Sequence, residues 1–192
     1  MAKPKILAFA GSTRTDSYNK KLVKIASTGA TEAGADVTVI DLRDFPMPIY
    51  DGDLEQRDGL PSNARKLKDL MLTHQGFLIS SPEYNSSISA AFKNTIDWAS
   101  RQSEGETPLA CFKSKIAGIM SASPGMLGGL RGLVHVRSIL ENIGVIVMPD
   151  QIAIAKAHEA FNEEGTLKDK KQEDQVKKIG ASVAKILLKL NG

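Results

Sequence analysis

The chain of 192 residues contains a single cysteine, Cys111. An internal disulfide is therefore excluded, and no cysteine–histidine cluster has zinc spacing. Aromatic residues make up only 5%, too few for the base-stacking surface that single-stranded nucleic acids need. Neither charge dominates: 25 Lys and Arg stand against 22 Asp and Glu, a net charge of +3. That is mildly basic, short of the polycationic character of a nucleic-acid binder. No apolar run approaches the roughly 20 residues of a membrane helix. The opening segment holds only a short apolar run ending at Gly11, unlike a secretory leader. The expectation is a soluble protein of a reducing, cytoplasmic compartment, with no nucleic-acid partner and no membrane insertion.

What is present is a globular composition, 42% hydrophobic and 24% charged. That suffices for one sizeable core, and the length suits a single domain over 1–192. Lys5–Ala10 reads as a buried strand. A helix carrying Leu22, Val23, Ile25 and Ala26 follows and runs out near Gly34. Asp36–Asp41 reads as a second strand, and residues 42–60 as a long connection. Pro46 and Pro48 exclude a regular helix around them. Ser62 or Asn63 is expected to cap a helix carrying Leu67, Leu70 and Met71. Further strands are predicted at Gly76–Ser80, Lys115–Ser121 and Val145–Met148, the last broken by Pro149. Helices carrying Phe92, Ile96 and Ala99, and then Leu133, Val136, Ile139 and Leu140, lie between them. Asp169–Leu190 has apolar residues at steps of three and four, an amphipathic helix. Alternating strands and helices imply an α/β fold, a parallel sheet covered on both faces. Five strands point to a doubly wound sheet of flavodoxin type in the order 2-1-3-4-5.

Ligands of such sheets bind beyond the carboxyl ends of the strands. After the first strand stands Gly11-Ser-Thr-Arg-Thr-Asp-Ser-Tyr-Asn19, directly before a helix. Hydroxyls, an amide and the Arg14 guanidinium meet free backbone N–H groups at a helix N-terminus, which suits a phosphate dianion. Ser17 or Asn19 could instead simply cap the helix. The patterns of P-loop nucleotidases and of dinucleotide-binding Rossmann units are both missing. The stretches Ser80–Ser89 and Ser121–Gly129, after the third and fourth strands, are small and polar. They could line a flat polar ring. A mononucleotide with a planar head fits all three loops: phosphate at the first, rings at the others.

These residues resemble the NADPH-dependent FMN reductase family of the flavodoxin-like superfamily, and most of all the bacterial quinone and chromate reductases. The resemblance covers Lys5 to about Met148. It rests on Gly11, Ser12, Arg14, Ser17 and Asn19, on Pro82-Glu-Tyr-Asn85 leading into Phe92-Lys-Asn-Thr-Ile-Asp-Trp98, and on Gly128-Gly129-x-Arg131. It implies bound FMN, hydride uptake from NADPH or NADH, and delivery to a small acceptor. That acceptor would be a quinone, a flavin, chromate or an azo compound. By the same resemblance Ser12, Thr13, Arg14, Ser17, Tyr18 and Asn19 hold the phosphate. Pro82, Glu83, Tyr84 and Asn85 line the ribityl chain and ring, joined by Ser121, Ser123 and Gly125. A homodimer or homotetramer is implied too.

No Cys/His or Ser/His pair reads as nucleophile and base, and His74, His135 and His158 are scattered. No side chain is therefore expected to do covalent chemistry, and no metal site is expected. Ping-pong turnover is the natural expectation where one flavin face serves both substrates. The alternative is a flavodoxin-like FMN electron carrier. Such carriers are typically strongly acidic, and this chain is not. Arg131 is expected to meet either a phosphate of the nicotinamide nucleotide or an interface carboxylate.

Overall fold

The computed structural model describes residues 3–190. The chain runs through β1 (Lys5–Ala10), α1 (Tyr18–Glu32) and β2 (Asp36–Ile40), then a short 3-10 turn at Leu42–Asp44. It continues through α2 (Gly52–Asp58), α3 (Ser62–Thr73), β3 (Gly76–Ser80), α4 (Ala90–Ala99) and β4 (Ile116–Ala122). It ends with α5 (Leu130–Asn142), β5 (Ile146–Ile154), α6 (Ala157–Ala160) and α7 (Lys170–Leu190). The strands form one parallel sheet in the order β2-β1-β3-β4-β5, the flavodoxin-like arrangement.

Side-chain alternation along β1 divides the core into two layers. Ile6 and Ala8 pack with Leu22 and Ala26 of α1 and with Val176 and Val183 of α7. Leu7 and Phe9 face Leu67 of α3, Phe92 of α4 and Leu133 of α5. Every residue of β3 and β4 is buried, as central parallel strands require.

Three local expectations are corrected. Pro149 does not break β5, which continues to Ile154. Being an edge strand, β5 tolerates proline, and its register against β4 shifts between Ala117 and Ile119. The Arg137 guanidinium spans the irregular stretch. It donates to the carbonyls of Val147 (3.3 Å) and Met148 (2.9 Å) and to Gln151 Oε1 (3.1 Å). Neither Ser62 nor Asn63 caps α3. Pro61 holds the cap position without a side-chain bond, its fixed φ leading directly into the helix. The connection of residues 42–60 also contains a helix, α2, whose start is capped by Asp51.

The Pro46–Tyr50 loop has no helix, as expected, and it is held by α4. Tyr50 N donates to Asn94 Oδ1 (2.8 Å). Pro48 O accepts from Asn94 Nδ2 (2.9 Å) and Trp98 Nε1 (2.8 Å). Asn94 and Trp98 thus bind the proline loop, while Asp97 pairs with Lys93 on the outer face of α4.

The loop after α4 is fastened by a buried cation. Lys68 Nζ, fully buried on α3, lies 2.6 Å from Glu106 Oε2, and Arg65 Nη1 lies 2.6 Å from Glu106 Oε1. Burial pushes the Glu106 carboxyl up, but Lys68, Arg65 and the Ser103 N–H outweigh it and bring it down to about 2. A carboxyl depressed on folding stabilises fully at neutral pH and loses that contribution as pH falls from about 4.5 towards 2. The lost stability is on the order of 2–3 kcal/mol. Acid unfolding of the wild type should therefore be steeper in this window than that of Glu106→Gln. Equal slopes would show that the contact does not persist in solution.

Candidate functional site

The carboxyl ends of β3 and β4 meet at Asn19, in the first turn of α1. Its Oδ1 accepts from Ser80 Oγ (2.8 Å) and Ala122 N (3.0 Å), and its Nδ2 donates to Ala122 O (2.9 Å). The buried Asn19 side chain therefore ties the helix start to two strand ends. It does not cap α1. Ser17 occupies the cap position in extended conformation, but its side chain makes no capping bond. The N–H groups of Ser17, Tyr18 and Asn19 find no acceptor among the described residues. Open donors and an unused hydroxyl at a helix start suit an anion. Ser12 is buried and its Oγ accepts from Arg14 N (3.3 Å). Arg14 is exposed and forms no ion pair among the described residues.

A narrow cleft brings much of the expected set together. Ser12, Arg14, Ser17, Tyr18 and Asn19 line one side, and Pro82, Glu83 and Tyr84 the other; Ala122, Ser123 and Pro124 close the end. Its volume is about 50 Å³, the scale of a phosphate group rather than of a whole nucleotide. The Tyr18 ring stacks on Phe161, centroids 5.7 Å apart. Thr13, Asn85, Ser121 and Gly125 do not line this cleft. Thr13 and Asn85 are exposed close by. Ser121 is fully buried within β4. Its buried Oγ has no partner and lies 1.9 Å from where a Cβ on Gly129 would stand. Gly129, with φ +92, thus accommodates Ser121 and a left-handed helix start at once. The Gly125 carbonyl accepts from Gly128 N (3.2 Å) and Lys156 N (3.2 Å), which fixes the third loop.

The second loop is a tight turn. Tyr84 and Ser87 exchange both backbone bonds, at 2.9 and 3.0 Å, while Asn85 and Ser86 have φ +50 and +66. That is the left-handed two-residue turn, which prefers Asn-Gly. Asparagine fits its place and Ser86 is strained. Ser86→Gly should raise stability by about 0.5–1 kcal/mol in chemical denaturation. A loss would mean that the serine side chain holds the turn.

Glu83 and Arg131 answer each other. Glu83 Oε1 accepts from Arg131 Nε (2.9 Å) and Nη2 (2.6 Å), and Oε2 from Gly132 N (3.0 Å). Burial raises the Glu83 carboxyl, but the Gly132 N–H and Arg131 hold it below its ordinary value. The carboxylate caps α5 from the neighbouring loop, and Arg131 pairs with a carboxylate of its own chain. Ser80 and Ser89 were missed by the sequence reading. Ser89 Oγ donates to Gly11 O and accepts from Phe92 N (3.1 Å), so it caps α4 and anchors the first loop. Its signal was a serine directly before a helical pattern.

The remaining candidates lie elsewhere. His74 bridges Leu70 O and Thr38 Oγ1, and His135 meets Ser87 Oγ. Cys111 is buried, and burial pushes its thiol up. Among the described residues no group of three or more His, Cys, Asp or Glu is placed to hold a metal ion, and no helix is long and apolar enough to cross a membrane.

The sequence model of the family described as NADPH-dependent FMN reductase matches residues 4–159. A probable NADPH:quinone oxidoreductase 2 of Oryza sativa subsp. japonica is 32% identical over 192 residues, covering 98% of this chain and 91% of that protein. A quinone reductase of Escherichia coli K12 is 34% identical over 150 residues, covering 76% and 74%. Among solved structures, FerB of Paracoccus denitrificans, a flavoenzyme NAD(P)H:(acceptor) oxidoreductase, superposes with a TM-score of 0.79. It is 28% identical, and the match covers 97% of this chain and 98% of that one.

Proposed function

The chain belongs to the NADPH-dependent FMN reductase family and is an oxidoreductase of that class, and we propose that it passes reducing equivalents from NADPH or NADH, by way of FMN, to a small acceptor in alternating, ping-pong turnover. A quinone is the acceptor class favoured by the relatives' names; a flavin, chromate and azo compounds belong to the same proposal. The observation that carries the cofactor's place is the open donor set at the start of α1. Ser17 does not cap, its N–H and its two successors' are free, and Arg14 has no ion-pair partner.

Ser12, Arg14, Ser17 and the first N–H groups of α1 would hold the phosphate. Thr13 belongs to the same loop, and Asn19 supports it from behind by joining β3 and β4. Pro82, Tyr84 and Asn85 would line the ribityl chain and ring, with Ser123 across the cleft. Glu83 would keep that loop in place through α5, and Ser121 and Gly125 would shape the third loop. FMN, when bound, supplies the two-electron centre. The protein's part is to position both substrates against it and to keep water out. No side chain is assigned a covalent role.

Self-association into a dimer or tetramer is part of the same reading. Met126, Leu130 and Val134, beside the cleft, are 74%, 45% and 61% exposed. The electron-carrier alternative is disfavoured by the net charge of +3. Anaerobic mixing of the yellow protein with NADPH decides between them. Rapid bleaching is expected for the enzyme, and none without a partner reductase for a carrier. Initial rates at several quinone concentrations should give parallel double-reciprocal lines. Lines that converge would refute alternating turnover.

A further inference from the structure

A cavity of about 600 Å³ lies beside the cleft and not in it. The two share Ser17. Ser12 and Arg14 of the first loop line the cleft, whereas Thr15 and Asp16 line the cavity. A space of this size falls within the range of small-molecule sites, about 300–1,000 Å³.

Its lining is sorted by chemistry. The floor is apolar: Val23 of α1, Val39 and Ile40 at the end of β2, and Phe45 beyond it. Val39 is 44% exposed, an uncovered β-branched side chain on an edge strand. One wall carries Lys20, Lys21 and Lys24 from successive turns of α1. Lys20 is neutralised by Asp41 at 2.5 Å. Lys21 and Lys24 form no ion pair among the described residues, although Lys21 lies 5.9 Å from the centroid of the Tyr18 ring. Arg43 reaches the rim, where it donates to Thr15 Oγ1 at 2.7 Å. Asp16 and Asp44 offer carboxylates without a cation partner.

An apolar floor accepts a purine. Unpaired lysines beside a phosphate-type loop accept phosphates. The Asp16 and Asp44 carboxylates can accept hydrogen bonds from ribose hydroxyls. We propose that this cavity binds the adenosine end of the nicotinamide dinucleotide donor, with Lys21 and Lys24 facing its phosphates. The inference rests on the donor reading above. It also places the donor's non-reacting half on the far side of the first loop from the ring-binding loops.

The test compares two donors and one fragment. NADPH carries the adenosine; reduced nicotinamide mononucleotide does not. Val39→Glu puts a charge on the cavity floor at an exposed position, and FMN titration reports whether the variant has folded. The KM for NADPH should rise about tenfold or more relative to that for the mononucleotide, because the carboxylate makes the floor hostile to a purine. AMP should bind the wild type in calorimetry and bind Val39→Glu far more weakly. AMP binding that is lost while the KM ratio stays put would mark a site for free adenine nucleotides and overturn the assignment to the donor. A chain that takes FMN but binds no AMP would overturn it too. A chain that takes no FMN refutes the cofactor reading instead, and AMP calorimetry on the flavin-free protein still reads the cavity.

Discussion

Gly180→Ala should lower stability by about 3 kcal/mol or more in urea denaturation, although alanine is the better helix former by about 1 kcal/mol. The reason is contact between two backbones. A Cβ on Gly180 of α7 would stand 1.9 Å from the Ala26 carbonyl oxygen of α1, and one on Gly29 of α1 would stand 2.1 Å from the Lys177 carbonyl oxygen. No rotamer change relieves a collision with backbone, so the helices must part. Parting them opens the layer that Leu22, Ala26, Val176 and Val183 share, and close-packed interiors give little back. The effect should reach the site as well. The first turn of α1 carries Asn19 and the open N–H groups, so a folded fraction at low temperature should also bind FMN less tightly. Gly52→Ala is the control: its nearest neighbour is Tyr50 Oη at 4.0 Å, and a change within about 0.5 kcal/mol is expected. Equal losses for the two variants would show that α1 and α7 do not meet this closely.

Arg14→Ala should weaken FMN binding by roughly 10- to 100-fold and riboflavin binding hardly at all. A charge-assisted bond is worth about 1.5–3 kcal/mol, and only FMN brings the phosphate that makes it. Arg14 is suited to this role because it is exposed at the cleft and forms no other ion pair among the described residues. The loss should shrink as salt is raised, since an exposed guanidinium is screened. Equal weakening of both ligands, measured by quenching of flavin fluorescence, would remove Arg14 from the phosphate site.

The layered architecture was legible because its signal is local. Apolar runs such as Gly76–Ser80 and heptad-like spacing such as Val176, Ile179 and Val183 follow directly from burial on a sheet and on a helix face. What escaped the sequence depends on partners distant along the chain. Pro149 reads as a breaker until β5 proves to be an edge strand with Arg137 across its irregular stretch. Ser62 reads as a cap until Pro61 takes that place. At the site, the composition of the three loops identified where chemistry could sit, and the cleft does join Ser12, Arg14, Ser17 and Tyr84. The division of labour inside the loops was not legible. Asn19 and Glu83 look like ligand contacts in sequence, yet their hydrogen bonds go to strand ends and to the start of α5. Ser121 and Ser123 look equivalent, yet Ser121 lies within β4 and is buried against Gly129, whereas Ser123 stands just past the strand end at the cleft.

The central claim is that the start of α1 anchors a mononucleotide by its phosphate, and paired calorimetric titrations of the flavin-free protein with FMN and with riboflavin test it most directly. The account predicts one FMN per chain, bound at least about 100-fold more tightly than riboflavin, as several charge-assisted bonds to one phosphate require. No heat with FMN, or equal affinity for the two flavins, would contradict it.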